Sequence, residues 1–194
     1  MTSQMSAASA ALLKVMHAYK QLDYGLSKIE VQKLAYFLQQ AGEDLRMRFK
    51  KFTYGPYSDQ LRHALNAMEG HYIRGVGDGN VEASIEPMPD ALAQAEAFIA
   101  EQGDDALQQH VDRVAELIEG YQSPYGMELL ATVHWVDGEA DVNDADAAIA
   151  RVGAWNERKR KLMQPSHIRA AWQHLQSTGW LKQASQKQEA VVST

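Results

Sequence analysis

The side chains able to do chemistry in this sequence are limited in kind. There are seven histidines and no cysteine. Without cysteine there is no disulfide, no thiol nucleophile, no thiolate-held metal and no redox switch. His17, His63, His71, His110, His134, His167 and His174 include no H-E-x-x-H arrangement. His63 and His71 lie on either side of a helix end that carries Glu69, the one place where an acid–base or metal set could converge. Structural histidines are the expectation there. No G-x-S-x-G elbow occurs, so a hydrolase triad has no anchor. Gly75-Val76-Gly77-Asp78-Gly79 looks like a phosphate loop but lacks the Walker Lys and Ser/Thr and the G-x-G-x-x-G spacing. A turn needing positive φ explains it better. Asp104-Asp105 and Asp141, Asp144 and Asp146 lack the glycine and glutamate of a calcium loop and read as helix caps and solvated surface. The expectation is that the chain is not an enzyme, with no catalytic residue, no metal and no cofactor.

Charge is the stronger signal. The net charge of −6 is divided into blocks. Residues 1–81 carry 10 Lys/Arg against 7 Asp/Glu, and residues 147–194 carry 8 against 2. Residues 82–146 carry 16 Asp/Glu and a single base, Arg113, a net of −15. Such a block repels itself unless a cationic partner or the basic flanks answer it. Against the overall negative charge, direct nucleic-acid binding is not expected. Two basic runs qualify this: Arg46/Arg48/Lys50/Lys51 and Arg158-Lys159-Arg160-Lys161. Either they touch phosphate, or they are solvated faces, or they answer the acidic block internally.

The elements that must hold these groups are mostly helices. Ala8, Leu12, Val15, Met16 and Tyr19 recur at helical spacing. Ser27-Lys28-Ile29-Glu30 is a capping box, opening a helix through Val31, Leu34, Phe37 and Leu38 that Gly42 stops. Leu45, Met47 and Phe49 alternate with Arg46, Arg48 and Lys50, which predicts a half-buried strand with a basic outer face. Thr53 to Tyr57 is a turn, and Ser58 or Asp59 caps a helix ending at Gly70. An extended piece at Tyr72-Ile73 is expected to pair with a short strand near Ser84–Glu86. Asp90 is expected to cap an acidic helix, followed by a second with Leu107, Val111, Val114, Leu117 and Ile118 inward. Ser123-Pro124 opens an almost wholly apolar helix to about Trp135, which predicts the buried central one. Asn143 or Asp144 caps the next, to about Trp155, and Pro165 starts a last one stopped by Gly179.

The fold class that follows is mainly α (α+β): a single compact multi-helix domain over residues 1–182, with a small two- or three-stranded β element. Residues 183–194 are expected to form a polar, frayed tail. At 194 residues the chain can close a real core without staples. No apolar run approaches the ~18–20 residues of a membrane span, and the first ten residues lack a basic segment followed by an apolar one. A cytoplasmic protein with no membrane partner is expected.

Three stretches carry a resemblance. They are Ile29-Glu30-Val31-Gln32-Lys33-Leu34-Ala35-Tyr36-Phe37-Leu38, then Phe52-Thr53-Tyr54-Gly55-Pro56-Tyr57 with Glu69-Gly70-His71-Tyr72-Ile73, then Pro124-Tyr125-Gly126-Met127-Glu128-Leu129-Leu130-Ala131-Thr132-Val133-His134-Trp135. In this order the sequence resembles the C-terminal, toxin-binding half of the DarG antitoxins over roughly residues 10–181. The first stretch and the Tyr54-Gly55-Pro56-Tyr57 turn are also similar to the broader Panacea antitoxin domains. The DarG resemblance implies a partner, a DarT-like toxin that ADP-ribosylates thymidine in single-stranded DNA. It also implies a macrodomain that removes ADP-ribose, which these motifs do not include.

What the resemblance implies is therefore a non-enzymatic antitoxin module. It would bind and inhibit a DarT-like ADP-ribosyltransferase by placing an acidic, DNA-mimicking surface in its single-stranded DNA groove. Expected partner-binding residues within the resembling region, roughly 10–181, are Lys33, Tyr36, Tyr54, Tyr57, Arg62, His63, Glu69, His71, Tyr72, Asp78, Glu119, Tyr121, Tyr125 and Glu128. The acidic block adds Asp104, Asp105 and Asp112. Alternative expectations are a Panacea-like antitoxin for an unrelated toxin and a DNA-binding autoregulator of its own operon.

Overall fold

A computed structural model describes residues 4–19, 25–77, 84–103 and 105–182. Asp78, Asp104 and the expected tail at 183–194 lie outside the described residues. The helices are α1 (Ala7–Tyr19), α2 (Lys28–Ala41), α3 (Asp59–Met68), α4 (Ala91–Gln102), α5 (Asp105–Ile118), α6 (Pro124–Asp137), α7 (Ala145–Trp155), α8 (Glu157–Leu162) and α9 (Pro165–Ser177). The strands are β1 (Lys50–Phe52), β2 (Gly55–Tyr57), β3 (Ile73–Arg74) and β4 (Glu86–Pro87). The fold is mainly α, as expected. Its β content is two separate antiparallel pairs, β1–β2 and β3–β4, rather than one small sheet.

α2 and α6 form the centre. α6 is buried around almost its whole circumference, from Gly126 through Val136, with Trp135 half-buried. Its apolar sequence demands this, because no face is polar enough to meet water. α2 packs on α1, α5 and α6, while α6 also packs on α7 and α9. α4 and α5 lie against α1 on the other side. Phe37 is fully buried between His134 and Trp180, with ring centroids 5.6 and 5.5 Å away.

Local capping behaves as the sequence spells it. Ser27 Oγ accepts from Glu30 N at 3.3 Å, and Glu30 Oε1 accepts from Ser27 N at 3.1 Å. The other Glu30 oxygen accepts from the Tyr19 hydroxyl, so the box also ties α1 to α2. Ser58, Ser123 and Asp144 cap α3, α6 and α7. Asp90 does not cap α4: its backbone is already helical, and its side chain makes no cap bond.

The strand expected over Leu45–Phe49 is corrected. Leu45 and Met47 are buried while Arg46, Arg48 and Lys50 are exposed, so the alternation is real. No strand pairs with the segment among the described residues. Side chains replace the ladder: Gln39 takes both the Met47 N–H (3.0 Å) and the Met47 carbonyl (2.8 Å), and Gln60 Oε1 accepts from Arg48 N (3.2 Å). Period-two burial reports packing, whereas a strand also needs a partner backbone.

The glycine run at 75–79 is a turn at its start. Gly75 has φ +99°, and a Cβ there would lie 2.1 Å from the Ser84 carbonyl oxygen. Glu69 holds the turn, its two carboxylate oxygens each accepting a backbone N–H, from Gly75 and Val76, at 3.0 Å.

The acidic block is answered in part by the basic flanks, one of the alternatives the sequence leaves open. Glu96 pairs with Lys14 at 3.2 Å and Glu86 with Arg74 at 3.6 Å. Arg151 takes Glu139 and Asp141, Arg169 takes Asp146, and Arg158 and Lys159 take Glu128. Both basic flanks fold back onto the block. What remains on α4, on α5 and just past its end is an exposed set, Glu101, Asp105, Asp112, Glu116 and Glu119, that pairs with no base among the described residues.

Candidate functional site

The β1–β2 hairpin is where the sequence-expected residues converge. It begins with Lys50-Lys51, turns through Thr53-Tyr54, and returns through Gly55-Pro56-Tyr57. Gly55 has φ +98°, and a Cβ there would press to 3.0 Å from Thr132 Oγ1 and 3.4 Å from Lys33 Cε. The backbone thus lies directly on α2 and α6, which only glycine permits.

Two side chains clamp the hairpin from below. Lys33 Nζ donates to the Pro56 carbonyl at 2.8 Å. Gln32 grips Ser58 twice, Nε2 to the carbonyl at 3.0 Å and Oε1 from the N–H at 2.9 Å. From the other side, α7 and its end supply Trp155 Nε1 to the Phe52 carbonyl (2.9 Å) and Asn156 Nδ2 to the Thr53 carbonyl (3.2 Å). A two-stranded hairpin is marginal alone; here its backbone is fixed by side chains of two helical regions.

Behind the hairpin lies a buried charge cluster. Glu128 Oε1 accepts from Lys159 Nζ and Arg158 Nη1, both at 2.6 Å, and Oε2 accepts from Arg158 Nη2 at 3.2 Å. Lys159 is 0% exposed. Burial lowers the Lys159 ammonium, against the pull of Glu128. Lys33, 2% exposed, is pushed down to about 7 by burial and then by Lys159, with Glu128 acting the other way. A neutral Lys33 amine can still donate to Pro56.

In front of this cluster the hairpin, α2 and α3 enclose a cavity of about 370 Å³. Lys33, Tyr54, Tyr57 and Arg62, all expected from the sequence, line it. Lys28, Gln32, Phe52, Leu65, Asn66 and Val76 complete the walls. Phe52 is 51% and Tyr54 41% exposed, large apolar surface for a small domain. The Phe52 and Tyr57 rings lie 5.2 Å apart, tilted 33°, with Lys50 Nζ 5.7 and 5.8 Å from their centroids. Arg158 lies 4.5 Å over Tyr54, and Lys51 4.5 Å over Trp155. The opening is thus an aromatic surface with cations beside it, Lys50 at the Phe52 and Tyr57 rings and Lys28 and Arg62 in the walls.

The other expected residues are not gathered here. Tyr36 and Tyr72 are buried, and the Tyr36 hydroxyl bonds His134 Nδ1 at 2.7 Å. Burial holds the His134 imidazole down at about 4. His63 and His71 are exposed, while Glu69 is committed to the turn above. Among the described residues no three His, Asp or Glu side chains are grouped to hold a metal ion. Tyr121 packs on His174 with centroids 5.0 Å apart, and the Tyr125 hydroxyl bonds His167 Nδ1 at 2.9 Å. Glu119, Asp105 and Asp112 are exposed on or beside α5. No described helix is long and apolar enough to cross a membrane.

Sequence reasoning missed Phe52, Trp155 and the burial of Lys159. The Arg158–Lys161 run looks uniformly solvated. Local spacing carries no signal for them, because the extended Asn156 separates α7 from α8 and Trp155 and Lys159 share no helix.

No protein-family model matches the chain. A Thermus aquaticus protein (strain ATCC BAA-2747 / Y51MC23) named DNA ADP-ribosyl glycohydrolase is 40% identical over 181 residues, 92% of this chain and 49% of that protein. Proteins of the same name from Mycobacterium bovis (strain BCG / Pasteur 1173P2) and Mycobacterium tuberculosis (strain ATCC 25618 / H37Rv) are 35% identical over 160 residues, 76% of this chain and 43% of theirs. The chain spans under half the length of these relatives. Two expectations are corrected by them. Relatives named as hydrolases overturn the reading of a purely non-enzymatic antitoxin module, and with it the expectation that the chain is not an enzyme. The alternatives of a Panacea-like antitoxin or an operon autoregulator are not favoured either.

Proposed function

We propose that the chain takes part in removing ADP-ribose from DNA, as a segment of a DNA ADP-ribosyl glycohydrolase. The observation that carries this is the 40% identity running through 92% of the chain. The reaction of that class breaks the bond between the ribose anomeric carbon and the DNA base. Water supplies a hydroxyl to the carbon and a proton to the base. A segment serving it must hold an anionic strand, and Lys28 and Arg62 in the cavity wall, with Lys50 beside the Phe52 and Tyr57 rings, have the charge for that.

A protein partner belongs to the same reading. We propose a DarT-like ADP-ribosyltransferase, which makes the modification that a glycohydrolase removes. What supports contact between them is the exposed carboxylate set on α4, α5 and the turn after it, Glu101, Asp105, Asp112, Glu116 and Glu119. A protein that holds DNA presents cations to such a face.

The purified chain, incubated with a single-stranded oligonucleotide ADP-ribosylated on one base, tests the proposal. Released ADP-ribose is read by chromatography, and retention of the strand by fluorescence anisotropy. The expected result is release, or retention of the modified strand in preference to the unmodified one. A folded chain that neither releases ADP-ribose nor distinguishes the two strands contradicts the reading.

A further inference from the structure

We infer that the cavity between the β1–β2 hairpin, α2 and α3 is a nucleotide-binding site, taking a base against Phe52 and Tyr57 and a phosphate between Lys28 and Arg62. The inference deepens the glycohydrolase reading by naming where the nucleic acid sits. It departs from the sequence expectation that the chain does not bind nucleic acid directly. That expectation rested on net charge, which averages over the surface, whereas this face is locally basic.

Four features support it. The volume, about 370 Å³, suits a base with its sugar and phosphate rather than a long chain. The walls are aromatic where a base would lie: Phe52 and Tyr57 present tilted, neighbouring rings, and half of Phe52 is exposed. Stacking on such rings tolerates any base, because each base has a π-face. The cations are free to act. Lys28 is exposed and pairs with no acid among the described residues. Arg62 touches only Asp59, at 4.0 Å, and Asp59 is already engaged at 2.8 Å by Lys50. Last, the site is rigid. The hairpin is held by Lys33, Gln32, Trp155 and Asn156, so little order has to be gained on binding.

The base and phosphate have two possible sources, a nucleotide of the DNA strand or the adenosine diphosphate half of an ADP-ribosyl group. Both present the same chemistry to the pocket. Isothermal titration of the chain with ADP-ribose, and separately with an unmodified thymidine oligonucleotide, distinguishes them. Binding of at least one probe is expected. The double variant Lys28→Ala/Arg62→Ala and the single variant Phe52→Ala are each expected to weaken it about tenfold or more. These side chains are exposed, so circular dichroism should be unchanged. Arg160→Ala/Lys161→Ala removes equal charge from exposed positions on α8 and should leave affinity unchanged.

Binding of neither probe at millimolar concentration would overturn the inference. So would binding that falls equally in the α8 control, or is indifferent to Phe52 and to Lys28/Arg62. Failure of the glycohydrolase reading looks different. There, the unmodified probes still bind and respond to the variants, but the ADP-ribosylated strand is neither preferred nor processed.

Discussion

Glu128→Gln is expected to lower the unfolding free energy by about 3–5 kcal/mol, the cost of leaving buried charge without its partner. The carboxylate is the counter-ion of both Lys159 and Arg158, each at 2.6 Å. Lys159 is fully enclosed, so water cannot replace the lost charge. Lys33, the next cation, already feels Lys159 as repulsion. The amide leaves the shape intact and removes only the charge, which isolates the electrostatic effect. Because burial lowers the Lys159 ammonium, part of the cost can be relieved by losing its proton, and the penalty should shrink as pH rises. Glu128→Leu combined with Lys159→Met removes both charges and should recover most of the loss. Urea unfolding monitored by tryptophan fluorescence checks this; a Glu128→Gln cost below about 1 kcal/mol would mean the cluster contributes little.

The second large effect is a dependence on pH carried by Lys33. Its folded value is about 7, against an ordinary lysine value of 10.5 in the unfolded chain. Between those two values the unfolded state binds a proton that the folded state has lost. Stability from this group therefore rises with pH above about 7 and levels off near 10.5. From pH 7 to pH 9 the rise is about 2 kcal/mol, at about 1.4 kcal/mol per pH unit less the half-titrated start. Lys159 is displaced in the same direction, whereas Tyr19 and Tyr36, raised chiefly by burial, oppose it above pH 10. Lys33→Met should remove the Lys33 part, so the difference between wild type and variant should narrow or reverse in favour of wild type between pH 7 and pH 9. Parallel stability curves for the two proteins would show that Lys33 is not held neutral by the fold.

Much of the scaffold was legible because it is local. The Ser27–Glu30 box and the Ser123-Pro124 start depend on residues within one helical turn, and the structure forms both. The buried α6 was legible from composition, since no polar stripe runs along it. What escaped the sequence was decided by partners distant in the chain. Leu45 to Phe49 alternates as a strand would, but Gln39 and Gln60 rather than a second strand take its backbone groups. Which bases answer the acidic block was not legible, because Lys14, Arg74, Arg151 and Arg169 reach it only after folding.

The site was half legible for the same reason. Lys33, Tyr54, Tyr57 and Arg62 lie in motifs that mark them, and the structure brings all four to one cavity. Trp155 meets the hairpin across a separation of 103 residues. Lys159 reaches Glu128 across 31. Neither contact has a local signature, so the wall behind the hairpin could not be built from spacing alone.

Photo-crosslinking tests the central claim most directly, that modified DNA is held at the β1–β2 hairpin. A single-stranded oligonucleotide carrying one ADP-ribosylated base and a neighbouring photoreactive base is irradiated with the chain, and the adducts are mapped by peptide mass spectrometry. The account predicts adducts within residues 28–66, centred on Phe52, Tyr54 and Tyr57, and their loss in Lys28→Ala/Arg62→Ala. Adducts confined to α4 and α5, or none above the level given by an unrelated protein, would contradict it.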